Sequence, residues 1–397
     1  MLKFPVLFFK KYFLGNISNV VEYLLILCRR YCWRLKVKKV LLGLLFIAVS
    51  LFCINGNTFH VKAASERAYV QKVLKKYHAK GTVVIIKDGE AEQISSGYGY
   101  YSRKIKNGSD KLVYPLGSLQ KVVTGAIITQ LIYQNKFTQN TKISCWYPHL
   151  KNAKNITVGQ LMTHTSGINM SSTESSHGVL FSEEGAINWT VLRDNLQSHT
   201  SLGKFNYNNA NYVLLAGIIR KVTGKSYASN VKSRIIKPLK LKHTYVYTQI
   251  PRNKTDAISY LYSSGRNYQN SAYVNKYVVS QLPGAGDLFS NPSDYRKIIA
   301  GLSNGKILNQ DQFEYLTHLK SKDSTYSGGT YLKDKGRLQL AYGNFGDTHF
   351  SNWMQITSDN QNGIVIFLNQ TESSSKPVKK VGYQILKHLK KNTFIRG

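Results

Sequence analysis

The chain has 397 residues, with 54 lysines and arginines against 20 aspartates and glutamates, and a formal net charge of +34. Hydrophobic residues make up 42% of it, enough apolar material for a folded core, which excludes a disordered polycation. A positive charge of this size indicates a polyanionic partner such as nucleic acid, anionic lipid or an anionic polymer.

The N-terminal residues 1–63 form a leader that differs in character from the rest of the chain. Within it, the apolar segment 40–54 follows a basic stretch and precedes polar residues that end at Ala63 and Ala64. This order is typical of a secretory signal with cleavage after Ala63. An uncleaved membrane anchor is the alternative, although the apolar segment is short for a bilayer span, which needs about 20 residues. We therefore expect an exported protein that is extracellular, associated with the cell wall, or anchored to the outer face of the cytoplasmic membrane.

Charge and cysteines follow the same division. Ten of the 54 basic residues and a single acidic residue, Glu22, lie within residues 1–64, which leaves a net charge of +25 for the remainder. We expect such an exported domain to meet an anionic cell wall, to contact membrane only through its leader, and to have no nucleic acid partner. Three of the four cysteines lie in the leader, so residues 64–397 keep only Cys145, which we expect to be a small packed side chain.

Segments with strand character lie near both ends of the region 64–397. Residues 82–87 are rich in β-branched side chains and precede an Asp-Gly hairpin turn, and further strands are predicted over 352–356 and 364–368. The tail, 378–389, has the apolar spacing of an amphipathic helix. This pattern indicates an α/β (α+β) domain. One antiparallel sheet would form from the N- and C-terminal segments, with flanking helices and a largely helical insertion over roughly 125–290.

Ser118 and Lys121 form an S-x-x-K pattern, in which two side chains three residues apart share one face of a helix. The amine can then take the hydroxyl proton. The pattern recurs elsewhere in the chain, and the setting distinguishes Ser118. Gly117 precedes it, and the apolar residues at 122–132 predict a buried helix whose N-terminus would favour an oxyanion. A simple N-cap serine is the alternative.

Tyr207 and Asn209 form a Y-x-N pattern, which is also common in this chain. Tyr207 is distinguished by the apolar helix predicted directly after it, over 212–219. A tyrosine can act as a general base only if a nearby positive charge stabilises its phenolate, and Lys121 is the candidate for that charge.

Five segments occur in an order that resembles the serine beta-lactamase-like hydrolases, which include class C beta-lactamases and D-alanyl-D-alanine carboxypeptidases. They are residues 114–121, 156–168, 205–217, 237–241 and 284–290.

The resemblance implies a beta-lactamase/transpeptidase-like fold and a role for each matching residue. Ser118 would be the acylated nucleophile and Lys121 its proton acceptor. Tyr207 would pass the proton to the leaving group and later activate water, and Asn209 would bind the substrate amide. His164 belongs to the segment 156–168, which is structural in this family. No metal and no organic cofactor are expected, since side chains and backbone supply all of this chemistry.

The third motif of the family, a lysine or histidine followed by Thr/Ser and Gly, is altered here. The best-fitting register places Asn344 where the cation is expected, with Gly346 and Asp347 following. These three residues are the expected remainder of the substrate site. In this register the backbone N–H of Asp347 would complete an oxyanion hole with that of Ser118. The missing cation normally helps to hold a substrate carboxylate.

The resemblance therefore implies an exported serine hydrolase of the cell envelope that acts through an acyl-serine intermediate. D-alanyl peptides of peptidoglycan, the substrates of D-alanyl-D-alanine carboxypeptidases, are the default expectation. One alternative is a D-alanyl ester on teichoic acid, because an ester lacks the terminal carboxylate that Asn344 cannot pair with. The other is a catalytically weakened relative that binds the anionic wall by charge. Hydrolysis of beta-lactams is not expected as the main role.

Overall fold

The computed structural model describes residues 66–170, 178–372 and 377–389. The leader, including the apolar segment 40–54 and the predicted cleavage position, lies outside these residues. Among the helices that are described, none has the length and apolar character needed to cross a membrane.

A nine-stranded sheet forms the centre of the region 67–389. Seven of its strands follow the order β11-β12-β13-β14-β15-β1-β2 with antiparallel neighbours, while β8 pairs with β15 in parallel and β9 pairs with β8. In chain order the strands are Lys80–Lys87 (β1), Glu90–Ser96 (β2), Tyr98–Tyr100 (β3), Ile105–Lys106 (β4), Leu112–Pro115 (β5), Tyr245–Val246 (β6), Thr255–Asp256 (β7), Ser259–Ser263 (β8), Arg266–Ala272 (β9), Leu288–Ser290 (β10), Tyr326–Ser327 (β11), Thr330–Lys333 (β12), Leu338–Gly343 (β13), Ser351–Thr357 (β14) and Gly363–Thr371 (β15).

Helices flank this sheet and fill the stretch between β5 and β6. The α-helices are 66–76 (α1), Lys121–Tyr133 (α2), Val158–Met162 (α3), Glu183–Asn195 (α4), Asn209–Thr223 (α5), Tyr227–Val231 (α6), Lys237–Leu239 (α7), Lys276–Val279 (α8), Pro292–Ser303 (α9), Gln310–Thr317 (α10) and Pro377–Leu389 (α11). Short 3-10 turns cover Gly117–Gln120, Ile143–Cys145 and Tyr247–Gln249, and a π-helical turn covers Lys232–Ile236.

The two ends of the domain meet in the middle of the sheet, as the sequence predicts. Thr82 of β1 lies opposite Phe367 of β15, and β15 pairs on its other side with β14. The turn between β1 and β2 is the predicted hairpin, with Asp88 at φ 52° and Gly89 at φ 81°. Positive φ at both central residues is the geometry of a type I′ turn, whose twist matches that of the strands it joins.

Both faces of the sheet are covered, so its central strands carry apolar residues at successive positions. Val84 and Ile86 face the larger core, which contains the helices of the insertion, while Val83 and Ile85 face a smaller core. Side chains alternate between the faces of a strand, and a strand buried on both sides therefore reads as a continuous apolar run. The smaller core is closed by α1 and by the predicted amphipathic helix α11, whose residues Val378, Val381, Ile385 and Leu389 all pack into it.

The insertion differs from the sequence prediction in its second half. It is helical as far as residue 239, but β6 to β9 follow, and β8 and β9 join the main sheet. The prediction of a packed side chain at Cys145 is wrong, because this cysteine is exposed. Ile143, at the start of its 3-10 turn, and Tyr147, just after the turn, face the core, whereas Cys145 is turned outward.

Candidate active site

Ser118 lies in the 3-10 turn that leads into α2, a helix with nearly all of its residues buried. The residue before it, Gly117, has φ 53°, which side-chain-bearing residues rarely adopt. A Cβ atom on Gly117 would lie 3.0 Å from the backbone nitrogen of Asn344, at the end of β13. The sheet and the start of α2 thus approach each other at Ser118, and only glycine permits this approach.

Lys121 forms the centre of a buried polar network. Its Nζ donates to Ser118 Oγ at 2.7 Å, to Asn209 Oδ1 at 2.6 Å and to the carbonyl oxygen of Ala285 at 3.1 Å. The side chain has no solvent-exposed surface. In its neutral form this amine has two N–H groups for Asn209 and Ala285, and a lone pair for the proton of Ser118. The geometry is that of a nucleophile and its base in direct contact.

The loop 284–287 supports this network from below. Thr124 of α2 donates through its hydroxyl to the carbonyl of Gly284 at 2.7 Å. Asp287 accepts from Gln120 Nε2 at 2.5 Å and from the backbone N–H of Gly284 at 3.1 Å. Burial raises the pKa of Asp287 to about 7. Since the loop also carries the carbonyl of Ala285, these contacts fix one acceptor of Lys121.

Tyr207 and Asn209 reach the network from the start of α5. Asn208 is the N-cap of this helix, and its side chain accepts from the backbone N–H of Ala210 at 3.0 Å. This cap fixes the chain direction so that Asn209 points at Lys121, whose Nζ also lies 5.0 Å from the centre of the Tyr207 ring. The Tyr207 side chain is 37% exposed and is accessible to a substrate.

His164 lies beneath Tyr207, and the two ring centres are 4.2 Å apart. Its Nδ1 accepts from the backbone N–H of Asn208 at 3.3 Å and lies 3.0 Å from the side-chain nitrogen of Asn211. Burial, together with the charge of Lys121, holds the pKa of His164 well below its usual value. A neutral, fully buried histidine that holds the backbone before α5 agrees with the structural role that the resemblance implies.

A cavity of about 270 Å³ opens above these groups, and we call it the Ser118 cavity. Four of its eight lining residues are tyrosines. Its lining consists of Ser118, Tyr207, Tyr326, Gly329, Tyr331, Ala341, Tyr342 and Asn344. Among these lining residues there is no lysine, arginine or histidine. Tyr326 is buried, and desolvation raises its pKa well above the usual value, so it is a neutral phenol.

The wall residues Tyr326, Gly329, Tyr331, Ala341 and Tyr342 are functional candidates that the sequence interpretation missed. A local signal was present in the Gly328-Gly329 pair, which joins β11 to β12. Gly329 has φ 112°, and a Cβ atom there would lie 2.2 Å from the backbone nitrogen of Val122. The hairpin is therefore pressed onto the first turn of α2, which brings its tyrosines to Ser118.

Asn344 lies where the third motif was expected, at the mouth of the Ser118 cavity. It follows the last residue of β13, and its Oδ1 accepts from the backbone N–H of Asn352 on β14 at 3.1 Å. The structure thus brings Asn344 together with Ser118, Lys121, Tyr207 and Asn209.

The structure does not bring Gly346 and Asp347 to the same place. Both are exposed and occupy the middle of the turn 345–348, which is closed by a backbone hydrogen bond of 3.1 Å between its end residues. Neither residue is part of the lining of the Ser118 cavity. The backbone N–H that approaches the Ser118 turn from β13 belongs to Asn344.

Comparison with known proteins agrees with this geometry. The family model described as Beta-lactamase matches residues 67–386, most of the chain. The chain belongs to the beta-lactamase family. Members of this family are serine hydrolases, and this chain is one of them. The predicted family and fold class are therefore confirmed.

Individual relatives cover similar portions of the chain. It is 29% identical over 326 residues to the teichoic acid D-alanine hydrolase of Staphylococcus aureus. The aligned region covers 81% of this chain and 78% of the relative. The crystal structure of FmtA from Staphylococcus aureus superposes with a TM-score of 0.67 at 27% identity, over 84% of this chain and 93% of that one. The D-amino acid amidase of Ochrobactrum anthropi SV3 shares the fold, with a TM-score of 0.68 at 20% identity over 82% and 98% of the two chains.

Proposed function

We propose that this serine hydrolase cleaves D-alanyl esters on teichoic acid at the outside of the cell, through an acyl intermediate on Ser118. The observation that carries the proposal is the composition of the Ser118 cavity, in which four tyrosines and Asn344 surround the nucleophile with no cationic side chain among the lining residues. The sequence alone favoured D-alanyl peptides, and the cavity changes that preference.

The argument rests on the charges of the two candidate substrates. A peptide that ends in D-alanyl-D-alanine carries a carboxylate beside the scissile bond, which a cation in the site would pair. An esterified D-alanine has no carboxylate and instead carries an ammonium group next to the reacting carbonyl. Aromatic faces attract such an ammonium, by about 0.5–2 kcal/mol for each well-placed ring. The tyrosine wall therefore suits the ester better than the peptide.

Similarity to the teichoic acid D-alanine hydrolase of Staphylococcus aureus supports the same choice of substrate. The likeness spans about four fifths of both chains.

Acylation follows from the contact between Ser118 and Lys121. The amine of Lys121 takes the proton of the Ser118 hydroxyl as Oγ attacks the ester carbonyl, because the two atoms are already 2.7 Å apart. The tetrahedral intermediate then collapses to the acyl-serine and releases the alcohol of the polymer. Tyr207, beside Lys121, passes the proton to that leaving oxygen.

Backbone groups stabilise the negative charge that develops on the carbonyl oxygen. The N–H of Ser118 lies in the first turn of a helical segment, where backbone donors and the helix dipole favour an anion. We assign the second donor to the N–H of Asn344 rather than to that of Asp347, because the Asn344 nitrogen borders Gly117. A backbone donor of this kind is independent of the side chain that stands at position 344.

Deacylation uses the same groups in reverse. Tyr207 first passes its phenol proton to Lys121, whose Nζ lies 5.0 Å from the ring centre, and the phenolate then takes a proton from the water that attacks the D-alanyl ester of Ser118. Lys121 returns its proton to Ser118 Oγ as the ester bond breaks. The products are free D-alanine and the original serine. Atoms and protons balance with water as the only further reactant, and Asn209 holds Lys121 in place through both steps.

Location outside the membrane is part of the proposal. It is supported by the basic, apolar and small-residue order of the leader and by the net charge of +25 on the remainder, which suits an anionic wall polymer.

The decisive experiment measures D-alanine release by the purified protein from teichoic acid and, separately, from a D-alanyl-D-alanine peptide. We expect release from the ester to exceed release from the peptide by at least about tenfold in kcat/KM, with an acyl adduct on Ser118 visible by intact mass. Ser118→Ala is the control and should show neither release nor adduct. Faster release from the peptide would contradict the choice of substrate, and the absence of any adduct with either donor would contradict the mechanism.

A further inference from the structure

A second and larger cleft adjoins the Ser118 cavity and has a different chemistry. Its volume is about 820 Å³, and we call it the lysine cleft because Lys320, Lys322, Lys333 and Lys335 are part of its lining. All four lysines are exposed. Nothing in the catalytic chemistry of Ser118 requires them.

The charge of the lysine cleft is not neutralised from within. Asp334 is the one acidic residue of its lining, and it pairs with Arg337 at 2.7 Å instead of with a lysine. Within the described ranges, no ion pair joins any of the four lysines to a carboxylate. The cleft thus presents four unpaired ammonium groups around one concave surface.

Ser321 lies among these lysines as part of the lining. Its Oγ is shielded from solvent and has no hydrogen-bond partner among the described residues. A shielded hydroxyl without a partner costs free energy unless a ligand or water completes it. A hydroxyl and several ammonium groups are together the donors that bind the oxygens of a phosphate group.

One hairpin separates the lysine cleft from the Ser118 cavity. Thr325, just before β11, lines the cleft, and the next residue, Tyr326, lines the cavity. On β12, Tyr331 lines the cavity and the next residue, Leu332, lines the cleft. Consecutive Cα atoms are only about 3.8 Å apart, so the two depressions share a thin wall. Because consecutive side chains of a strand point to opposite faces, the two depressions lie on opposite sides of the hairpin, and a polymer reaches both by passing around its edge strand, β11.

We propose that the lysine cleft binds the phosphodiester backbone of the polymer whose D-alanyl ester enters the Ser118 cavity. The proposal rests on the proposed function for the identity of the polymer. The cleft holds neighbouring phosphate groups, whereas the cavity takes only the D-alanyl group, so the enzyme favours polymeric over monomeric esters. The binding is electrostatic and weakens as salt screens it over about 8–10 Å.

The test replaces the four lysines together, as Lys320→Gln, Lys322→Gln, Lys333→Gln and Lys335→Gln in one full-length cleft variant. In low salt, we expect its KM for D-alanylated glycerol phosphate polymer to rise about tenfold, since exposed ion pairs each contribute a few tenths of a kcal/mol to about 1 kcal/mol. Its kcat/KM for D-alanine methyl ester should stay within about twofold of the unmodified protein. A matching loss on the methyl ester would overturn the proposal.

The matched control removes the same charge elsewhere, with Lys72→Gln, Lys75→Gln, Lys154→Gln and Lys225→Gln, all exposed lysines that line neither depression. It should change the KM for the polymer by less than about twofold. An equal rise in both variants would show that only the overall charge matters, and would overturn the assignment to the cleft.

A binding measurement separates this proposal from the proposed function. In a Ser118→Ala background, the affinity for glycerol phosphate polymer freed of D-alanine should fall about tenfold in the cleft variant and not in the control. If that difference appears but the unmodified protein releases no D-alanine from esters, the proposed function fails and the cleft assignment stands. If esters are hydrolysed and the difference is absent, the cleft assignment alone fails.

Discussion

On the helical side of the Ser118 cavity, Lys121 donates to Ser118, Asn209 and Ala285, and each of these acceptors is fixed by its own element. On the strand side the wall is made of tyrosines from β11, β12 and β13. There the hydroxyl of Tyr326 is buried, and its side-chain partner is another tyrosine, Tyr212. The difference separates two tasks: the helical side holds the reacting groups, while the strand side determines which substrate fits beside them.

Substitutions of Ser118 and Lys121 should break the helical side with the largest effects. We expect each of Ser118→Ala and Lys121→Met to lower kcat for D-alanyl ester hydrolysis by at least about a thousandfold, because nucleophile and base act as one unit. The double variant should be no slower than either single variant. Steady-state release of D-alanine measures all three.

Thermal stability distinguishes the two positions. Lys121→Met removes the amine that donates to Asn209 Oδ1 and to the buried carbonyl oxygen of Ala285, at a cost of about 1–3 kcal/mol for the buried carbonyl. Ser118→Ala leaves both contacts in place and should unfold at nearly the normal temperature. Equal melting temperatures for the two variants would show that the network around Lys121 carries little of the stability.

A change on the strand side should alter substrate choice and leave the acylation chemistry intact. Asn344→Lys places a cation at the mouth of the cavity, where it would repel the ammonium of a D-alanyl ester and attract a peptide carboxylate. We expect the ratio of kcat/KM for ester to that for D-alanyl-D-alanine peptide to fall by about 10- to 100-fold. Parallel assays on the two substrates give this ratio directly.

Asn344→Gln is the neutral control for this substitution and should leave the ratio within about threefold. A similar fall in both variants would mean that the shape of residue 344, and not its charge, sets the preference. The proposed contrast between the two sides would then be incorrect.

The contact between the two sides can be tested at Gly329. A Cβ atom at this position would lie 2.2 Å from the backbone of Val122, at a φ of 112° that an L side chain rarely adopts. Gly329→Ala should therefore lower the free energy of unfolding by about 2–3 kcal/mol and lower activity with it. Urea denaturation measures the first effect. Gly346→Ala, where the space is open, should change neither. A destabilisation of similar size in Gly346→Ala would show that replacing any glycine lowers stability, and that the close approach at Gly329 is not the cause.

The features that could be predicted from the sequence are those set by local patterns. The hairpin at Asp88-Gly89, the strands at both ends of the domain and the apolar stripe of α11 depend on neighbouring residues, and all were predicted. The S-x-x-K and Y-x-N patterns are equally local, and their placement before buried helices identified groups that the fold brings together. Strands β8 and β9 were missed because their tyrosine-rich sequence lacks an apolar alternation.

The strand side could not be predicted because it depends on sheet register. Tyr326, Tyr331 and Tyr342 come from three strands, and only the pairing of β11 with β12 and of β12 with β13 brings them together. The register of the third motif was uncertain for a related reason. Sequence spacing could not show that β13 ends at Gly343, or that residues 345–348 form a turn outside the Ser118 cavity.

The loop beneath Lys121 gives the smallest expected effect, which depends on pH. Burial raises the pKa of Asp287 from its usual value near 4 to about 7, so the folded protein binds a proton there that the unfolded chain releases. Stability from this group is fully present below about pH 4 and is lost as the pH rises to 7. Between pH 5 and 7 we expect a loss of about 2 kcal/mol from this group.

Asp287→Asn isolates that effect, because an amide cannot ionise while its oxygen can still accept from Gln120 and Gly284. The stability of the variant relative to that of the unmodified protein should be higher at pH 7.5 than at pH 5, by about 2 kcal/mol. Urea denaturation at both pH values gives the comparison. Asp194, whose pKa burial also raises, contributes equally to both proteins and cancels from the difference. Parallel pH profiles would mean that Asp287 stays ionised in the fold. The helical side would then hold a buried negative charge beneath the Lys121 network.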